Sequence, residues 1–321
     1  MIERYAKMTY LALINPYNTV YKVYPEIIDE VRGNLSKYDH SYFIGVKKDK
    51  VIGEDIIKKL RHNGFSLHTI DYKSLGGRAV DLRYVNPLTG KWMTGSSSAT
   101  ALNVFYGIND LGIGTDGGGS VLGPAISLNL FSFISPLLVR KENCKKKVST
   151  DGIEFSPSIG VISREFNILK DAVDILLNKK DKEKREIELI DISNFDVDIS
   201  SDRNYLIDFL EEKVGKGKIL VADEGPVDFY GLGDSVFGNF SKRTKDIQKK
   251  SNKGLLRVVN MAGKSAISIP KEDLGSAKLL ICDSNVVDIF EMLELAKEYI
   301  VERNELIDRY FLNYNMYFEN I

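Results

Sequence analysis

The stretch GIGTDGGGSVLGPA, residues 112–125, decides how the rest of this sequence is interpreted. Its first six letters satisfy the G-x-G-x-x-G pattern of dinucleotide-binding loops. That function needs a strand directly before the first glycine, a helix starting at the last, and an acidic residue about twenty positions later. Only two or three residues before the loop are predicted as strand, Gly123 and Pro124 oppose a helix starting at Gly117, and residues near 137 offer no suitable acid. A nucleotide site is therefore disfavoured.

The same loop also suits a different task, the presentation of Ser120 as a nucleophile. Consecutive glycines let the backbone bend so that successive N–H groups converge on one point, which favours a negatively charged oxygen. A serine nucleophile also needs a proton acceptor, most often a histidine. The histidines of the chain, His40, His62 and His68, all lie well upstream, and no Gly-x-Ser-x-Gly elbow surrounds any serine. A histidine-based triad is therefore disfavoured.

A second serine cluster, TGSSSAT at 94–100, lies upstream of Ser120 on a glycine-led turn that enters a predicted helix. The order and spacing of GSSS, GTDGGGS and GPA resemble the Gly-Gly-Ser-Ser-Gly-Gly and Gly-Thr-Asp-x-Gly-Gly-Ser-Ile-Arg-x-Pro-Ala motifs of the amidase signature family. Residues 155–177 and 259–270 resemble two further segments of that family. The resemblance spans most of the chain, and it implies the amidase signature fold and an amide-bond hydrolase.

The family uses a serine nucleophile, a second serine in a cis peptide and a lysine, and each has a counterpart here. Ser120 matches the nucleophile, Ser96 matches the cis-serine, and Lys47 matches the lysine that ends a strand in the family. Lys48 is the alternative to Lys47, because IGVKKDK contains both. The backbone N–H groups that match the family's oxyanion hole are those of Gly117, Gly118, Gly119 and Ser120.

This residue set implies a definite chemistry. A buried lysine among hydroxyl groups has a lowered pKa, so that its neutral amine accepts a proton near pH 7. Ser96 then relays a proton from Ser120 while Ser120 attacks the amide carbon and forms an acyl-enzyme. No cofactor and no metal is expected. The expected substrate is a small-molecule or peptide amide, and the choice between hydrolysis by water and transfer to an amine stays open.

The chain departs from the family pattern in two ways that bear on its substrate. Leu122 stands where the motif has an arginine, which disfavours a substrate carboxylate at that spot. Family members are usually longer, so we expect a shortened member with a reduced acyl pocket. A second hypothesis follows, in which the chain is an amidotransferase-like subunit or a pseudoenzyme that needs a partner chain.

Composition excludes several other functions. Lysine plus arginine number 44 against 45 aspartates and glutamates, so no long-range field favours nucleic acid or an anionic membrane. The N-terminus shows neither a secretory nor a targeting pattern, which predicts a cytoplasmic protein. Cys144 and Cys282 lack metal-ligand spacing and are expected to be structural thiols. Whether the chain forms a homodimer or binds a partner protein stays open.

Predicted strands and helices alternate along the chain. Apolar runs predict strands at 41–46, 66–72, 217–225, 264–270 and 277–283. Amphipathic patterns predict helices at 54–65, 97–108, 166–178 and, with a break, 285–311. The lysine-rich stretches 178–186 and 241–254 are expected to be loops or solvated helix ends. The alternation predicts one α/β domain over residues 1–321, with a mixed β-sheet core flanked by helices.

Overall fold

The computed structural model describes residues 2–143, 145–179 and 184–312, and its main feature is a mixed sheet. The strands of the described residues are β1 Val20–Val23, β2 Tyr42–Lys47, β3 Phe65–Asp71, β4 Val80–Val85, β5 Trp92–Thr94, β6 Leu111–Asp116, β7 Phe131–Ser135, β8 Lys147–Val148, β9 Glu154–Phe155, β10 Ser158–Ser163, β11 Glu188–Asp191, β12 Lys218–Glu224, β13 Ser265–Pro270 and β14 Ala277–Cys282. Ten of these described strands form one sheet in the order β1-β3-β2-β6-β10-β7-β13-β14-β12-β11, while β4-β5 and β8-β9 pair separately.

The helices lie between these strands along the chain. Within the described residues they are α1 Ile2–Ile14, α2 Ile28–Tyr38, α3 Glu54–Arg61, α4 Ser98–Phe105, α5 Leu122–Ser127, α6 Phe166–Leu177, α7 Arg203–Lys213, α8 Ser235–Gly238, α9 Lys242–Lys249, α10 Val286–Ala296 and α11 Glu305–Phe311. The predicted α/β architecture, a mixed sheet flanked by helices, is confirmed.

Successive side chains of the central strands belong alternately to two hydrophobic layers, one on each face of the sheet. On β14, Leu279 and Ile281 belong to one cluster and Leu280 to the other, as expected when successive side chains point to opposite faces of a sheet. The first layer packs α4, α5 and α7 on the sheet, and the second packs α3, α6 and α10. Both faces of the sheet are therefore covered by helices, which explains why its strands are apolar on both sides.

Glycines in β6 let α4 lie unusually close to the sheet. A Cβ atom on Gly112 would lie 2.6 Å from Thr100 Cγ2, and one on Gly114 would lie 2.7 Å from Ser97 Oγ. Both neighbours belong to the serine cluster, in the turn and first part of α4. The first two of the three glycines that match a dinucleotide fingerprint are therefore packing glycines inside a strand.

The predicted strands and helices are confirmed, and the long C-terminal helix does break, into α10 and α11. Two expectations around the glycine-rich stretch are met, because only Leu111 of strand β6 precedes Gly112 and no helix begins at Gly117. The next helix, α5, begins at Leu122 and includes Gly123 and Pro124. Proline is tolerated there because it falls in the first turn, where its missing N–H has no intrahelical partner.

Some of the predictions concern residues outside the described ranges. Cys144 is one of them, as is part of the lysine-rich stretch 178–186. Cys282 is described, and it is buried in the second layer, where burial raises the pKa of its thiol. Residues 125–127 and 131–135 form the end of α5 and strand β7, and nearly all of them are buried. Among the described helices, none combines the length and apolar character that crossing a membrane requires.

Candidate active site

The site lies where β2 and β6 end side by side. These strands pair in parallel, with Val46 opposite Ile113, so their carboxyl ends reach the same edge of the sheet. Lys47 is the last residue of β2, and the glycine-rich loop follows Asp116 at the end of β6. The parallel pairing therefore brings the predicted lysine and the predicted nucleophile loop to one place.

Lys47 is buried and surrounded by oxygen atoms. Its side chain is only 2% exposed, and its Nζ donates to Ser96 Oγ at 2.7 Å, to Thr115 Oγ1 at 2.8 Å and to Ser97 Oγ at 3.2 Å. Burial lowers the pKa of Lys47 to about 8, against the opposing attraction of Asp49 and Asp116. An amine with this pKa is partly neutral near pH 7 to 8, and so it can accept a proton.

Lys48 lies outside this cluster. Its side chain is exposed, and its Nζ sits 3.2 Å from the centre of the Tyr21 ring. Alternation along the strand explains the difference, because neighbouring residues point to opposite sides. Of the two lysines that the sequence offered, the structure brings Lys47 to the serines.

Ser96 contacts Lys47 but does not have the peptide geometry that the family resemblance implied. Among the described residues, the cis peptide bond is Gly225–Pro226, so Ser96 follows a trans bond and the expected cis-serine is wrong. A cis bond before a non-proline residue costs about 2.5–4 kcal/mol. Here Gly95, with φ +77°, turns the chain before the serine instead.

Asp116 holds the glycine-rich loop in shape. Its Oδ1 accepts from the N–H of Gly119 at 2.8 Å, and its Oδ2 accepts from the N–H of Val121 at 2.6 Å and of Leu122 at 3.3 Å. Asp116 therefore braces the loop. The N–H of Gly119, which was predicted as an oxyanion donor, is hydrogen-bonded to this carboxylate in the structure. Gly119 also has φ +89°, which only glycine adopts easily.

The remaining loop donors are free. Within the described part of the chain, the N–H groups of Gly117, Gly118 and Ser120 and the hydroxyl of Ser120 make no hydrogen bond. Free donors in a cleft are what an oxyanion hole requires. Ser96 and Ser120 are not hydrogen-bonded to each other, although a Cβ atom on Gly95 would lie 3.2 Å from the Ser120 carbonyl oxygen. The structure therefore places Ser96 against Lys47 and leaves the predicted relay between the two hydroxyls without a hydrogen bond.

These groups open into one cleft, which we call the catalytic cleft. It has a volume of about 490 Å³ and is lined by Lys47, Ser96, Thr115, Gly117, Gly118 and Ser120, among others. Residues from distant segments also reach it, including Lys73, Arg78, Lys147 and Arg203. Sequence reasoning identified the first group but missed the hydroxyls of Ser97 and Thr115 as partners of Lys47, although both adjoin predicted site residues. It had no signal for Arg203.

Comparison with solved structures identifies the fold. An amidase structure shares 12% sequence identity with this chain over 94% of each chain, with a TM-score of 0.57. The structure of 6-aminohexanoate cyclic dimer hydrolase matches with 12% identity over 92% of each chain and a TM-score of 0.57.

The chain has the amidase fold. An allophanate hydrolase from Kluyveromyces lactis matches it too, with 15% identity over 92% of this chain and 70% of that one, and a TM-score of 0.54. No protein-family model and no curated protein matches the chain. At identities of 12–15%, these comparisons show a shared fold. The chemistry of the cleft depends on its own residues.

Proposed function

We propose that this protein is a serine amidase in which Ser120 is the nucleophile, Lys47 the base and Ser96 the proton relay. The observation that carries the proposal is the contact of Lys47 Nζ with Ser96 Oγ at 2.7 Å, deep in a cleft that Ser120 also lines. A lysine with a pKa of about 8 and no carboxylate within 4 Å among the described residues is suited to accept a proton.

The reaction follows from these positions. Neutral Lys47 takes a proton from Ser96 as Ser96 takes one from Ser120, and the Ser120 oxygen bonds to the amide carbon. The carbonyl electrons move to oxygen, where the N–H groups of Gly117, Gly118 and Ser120 stabilise the charge. The C–N bond then breaks, and the departing nitrogen receives the proton through Ser96. Water attacks the acyl-enzyme by the same route and releases the acid.

The substrate is a small-molecule or peptide amide, which the open cleft of about 490 Å³ accommodates. The structural neighbours include an amidase and an allophanate hydrolase, which supports C–N bond hydrolysis as the reaction class. Water is the proposed acceptor, in line with the hydrolases among the structural neighbours.

A partner-dependent chain remains the second candidate. The observation that favours it is the missing hydrogen bond between Ser96 and Ser120 in the described structure. In that case a second protein completes the cleft and aligns the two hydroxyls, as in an amidotransferase-like subunit, or the chain is a pseudoenzyme.

The test is covalent labelling with a neutral alkyl fluorophosphonate, followed by intact-mass and peptide analysis. Ser120 attack on phosphorus displaces fluoride, so the natural protein should gain one adduct on the peptide that contains Ser120. Ser120→Ala and Lys47→Ala should gain none, while Lys48→Met serves as the matched lysine control and should label normally. Absence of labelling in the natural protein contradicts the stand-alone amidase and favours the partner-dependent chain.

A further inference from the structure

A smaller cavity adjoins the catalytic cleft, and we call it the side chamber. It has a volume of about 130 Å³ and shares Thr150, Arg203 and Ser235 with the cleft. At roughly 30 Å³ per water molecule, this volume holds about four waters or one compact polar group. The side chamber therefore extends the space available to a substrate bound at Ser120.

Positive charge dominates the side chamber. Its acidic lining residues are Asp151 and Asp202, and its basic lining residues are Arg203, Lys245, Lys249, Lys253 and Arg257. Three of the cations have a carboxylate within 4 Å: Arg203 pairs with Asp151, Lys245 with Asp202, and Lys253 with Asp228. Among the described residues, Lys249 and Arg257 have no such partner. The chamber thus keeps uncompensated positive charge.

Arg257 is the least expected of these cations, because it is partly buried and, among the described residues, has no carboxylate within 4 Å. Its guanidinium donates to the carbonyl oxygens of Gly254, Ile199 and Ser201 at 2.9–3.1 Å. These bonds fix the group in place but supply no negative charge. Burial lowers the pKa of Arg257 and the charge of Arg203 acts in the same direction, while the carboxylate of Glu224 acts against both. An anion in the chamber would relieve both costs.

Arg203 connects the side chamber to the glycine-rich loop. Asp151 accepts from its Nε at 2.7 Å and from its Nη2 at 2.6 Å, which fixes the plane of the guanidinium. The third nitrogen, Nη1, lies 4.0 Å from Met261 Sδ, a weak acceptor, and 3.4 Å from the position that a Cβ atom on Gly118 would take. Its N–H groups therefore remain available beside the proposed oxyanion hole.

We propose that the side chamber binds an anionic group of the substrate, a carboxylate or a phosphate, while the amide lies at Ser120. The inference rests on the proposed amidase function and names its substrate class as amides that carry a second, negatively charged group. Arg203 and Arg257 each contribute the Nη1 donors that their other contacts leave free, and Lys249 adds charge at the exposed side. Chamber hydroxyls such as those of Ser201 and Ser251 provide further donors.

This site differs from the one that the family motif would provide. The motif arginine is replaced by Leu122, which is fully buried in the first hydrophobic layer and cannot meet an anion. Positive charge instead comes from Arg203 at the start of α7, from α9 and from Lys253 and Arg257 after it.

The test compares labelling rates of Ser120 by three fluorophosphonates with equal alkyl chains, ending in a methyl group, a carboxylate or a phosphate. The anionic probes should label the natural protein at least 10-fold faster than the neutral one at low salt, and the advantage should shrink in 0.5 M NaCl. A larger advantage for one anion identifies it as the preferred group.

Variants assign the effect to the chamber. Arg203→Gln and Lys249→Met should each reduce the ratio of anionic to neutral labelling rates, and the second variant keeps the test usable if the first fails to fold. Lys250→Met removes an exposed neighbouring lysine that does not line the chamber, and it should leave the ratio unchanged.

The outcomes separate this inference from the proposed function. If the neutral probe labels Ser120 but the anionic probes gain no advantage, the side chamber does not bind an anion, and the inference is overturned while the amidase proposal stands. If no probe labels Ser120, the amidase proposal fails. An equal loss of the advantage in Lys250→Met would also overturn the inference, because it would show a general charge effect.

Discussion

Burial lowers the pKa of Lys47, although the charges of Asp49 and Asp116 act to raise it. Its ammonium finds only hydroxyl and carbonyl oxygens within hydrogen-bonding distance, from Ser96, Ser97 and Thr115. The fall of its pKa from 10.5 to about 8 corresponds to about 3 kcal/mol against the charged form, at 1.36 kcal/mol per pKa unit. Because the charged form is disfavoured, part of Lys47 is neutral near pH 7 to 8 and can accept a proton.

The first prediction concerns the pH dependence of reactivity. Because only neutral Lys47 accepts a proton, the rate of Ser120 labelling by the neutral fluorophosphonate should rise with pH and level off above an apparent pKa of about 8. Lys48→Met, which removes an exposed lysine, should give the same profile. A rate that does not change between pH 6 and pH 9 would contradict Lys47 as the base.

The second prediction concerns Thr115, whose hydroxyl lies 2.8 Å from Lys47 Nζ. Thr115→Val keeps the shape of the side chain but removes an acceptor that stabilises the ammonium form. Hydrogen bonds to charged groups contribute about 1.5–3 kcal/mol, so the pKa of Lys47 should fall further and the labelling profile should move to lower pH by about 1 unit. A shift to higher pH would show that Thr115 does not act on Lys47 in this way.

At the scale of elements, the contact between α4 and β6 positions the site. Helix α4 begins within the serine cluster, and its first turn lies against Gly112 and Gly114 of β6. This close approach holds Ser97 beside the end of the strand, where Lys47 Nζ reaches it at 3.2 Å. The geometry of the site therefore depends on two glycines that take no part in the chemistry.

The third prediction tests that contact. A Cβ atom in Gly114→Ala would lie 2.7 Å from Ser97 Oγ and 3.0 Å from Val121 Cγ2, so the helix must shift. Overpacking of this kind costs about 1–3 kcal/mol in the free energy of unfolding, and Ser120 labelling should slow as well. Gly33→Ala is the matched control, since nothing lies within 4 Å of its Cβ position in α2, and alanine should stabilise that helix by about 0.5–1 kcal/mol. Urea unfolding measures both, and equal stability of Gly114→Ala and the natural protein would show that α4 does not need the glycine.

At the scale of the whole molecule, the main sheet contains acidic side chains that are buried at the ends of its strands. Asp71 is fully buried at the end of β3, where burial raises its pKa from 3.8 to about 6. Its Oδ1 accepts from Thr69 and Asn103, each at 2.7 Å, while its Oδ2 has no hydrogen-bond partner. Glu224 at the end of β12 behaves alike, with a pKa raised to about 7 by burial. Protonation of either carboxyl group raises the free energy of unfolding, because the pKa of each is higher in the folded chain than its ordinary value.

The fourth prediction gives the sign of the resulting pH dependence. Between pH 3.8 and about 6, the folded chain keeps a proton on Asp71 that the unfolded chain releases, so this group's stabilising contribution is lost as the pH rises through that window. Asp71→Asn has no proton to lose. From pH 3.5 to pH 7, its free energy of unfolding should therefore gain about 3 kcal/mol relative to the natural protein. Asp196→Asn, at an exposed position, controls for the substitution, and parallel curves for Asp71→Asn and the natural protein would contradict the prediction.

The amino-acid sequence by itself determined the α/β class, most strands and helices, and the identity of Ser120, Ser96 and Lys47 as site residues to test. These features follow from local patterns, because hydrophobic periodicity and glycine-rich turns act over a few residues. The sequence could not determine which loop N–H groups are free, since that depends on where the Asp116 carboxylate turns. It also gave no indication that a trans peptide bond precedes Ser96, where Gly95 turns the chain.

Only the tertiary structure decided the surroundings of the nucleophile. Parallel pairing of β2 with β6 selects Lys47 over Lys48, because it sets which side of the strand faces the serines. Folding likewise carries Arg203 and Arg257, far away in sequence, to the glycine-rich loop and the side chamber. The stretch 241–254 was expected to be a loop or a solvated helix end; most of it forms α9, and Lys245, Lys249 and Lys253 line that chamber. Charges converge in this way through contacts distant in sequence, which no local pattern encodes.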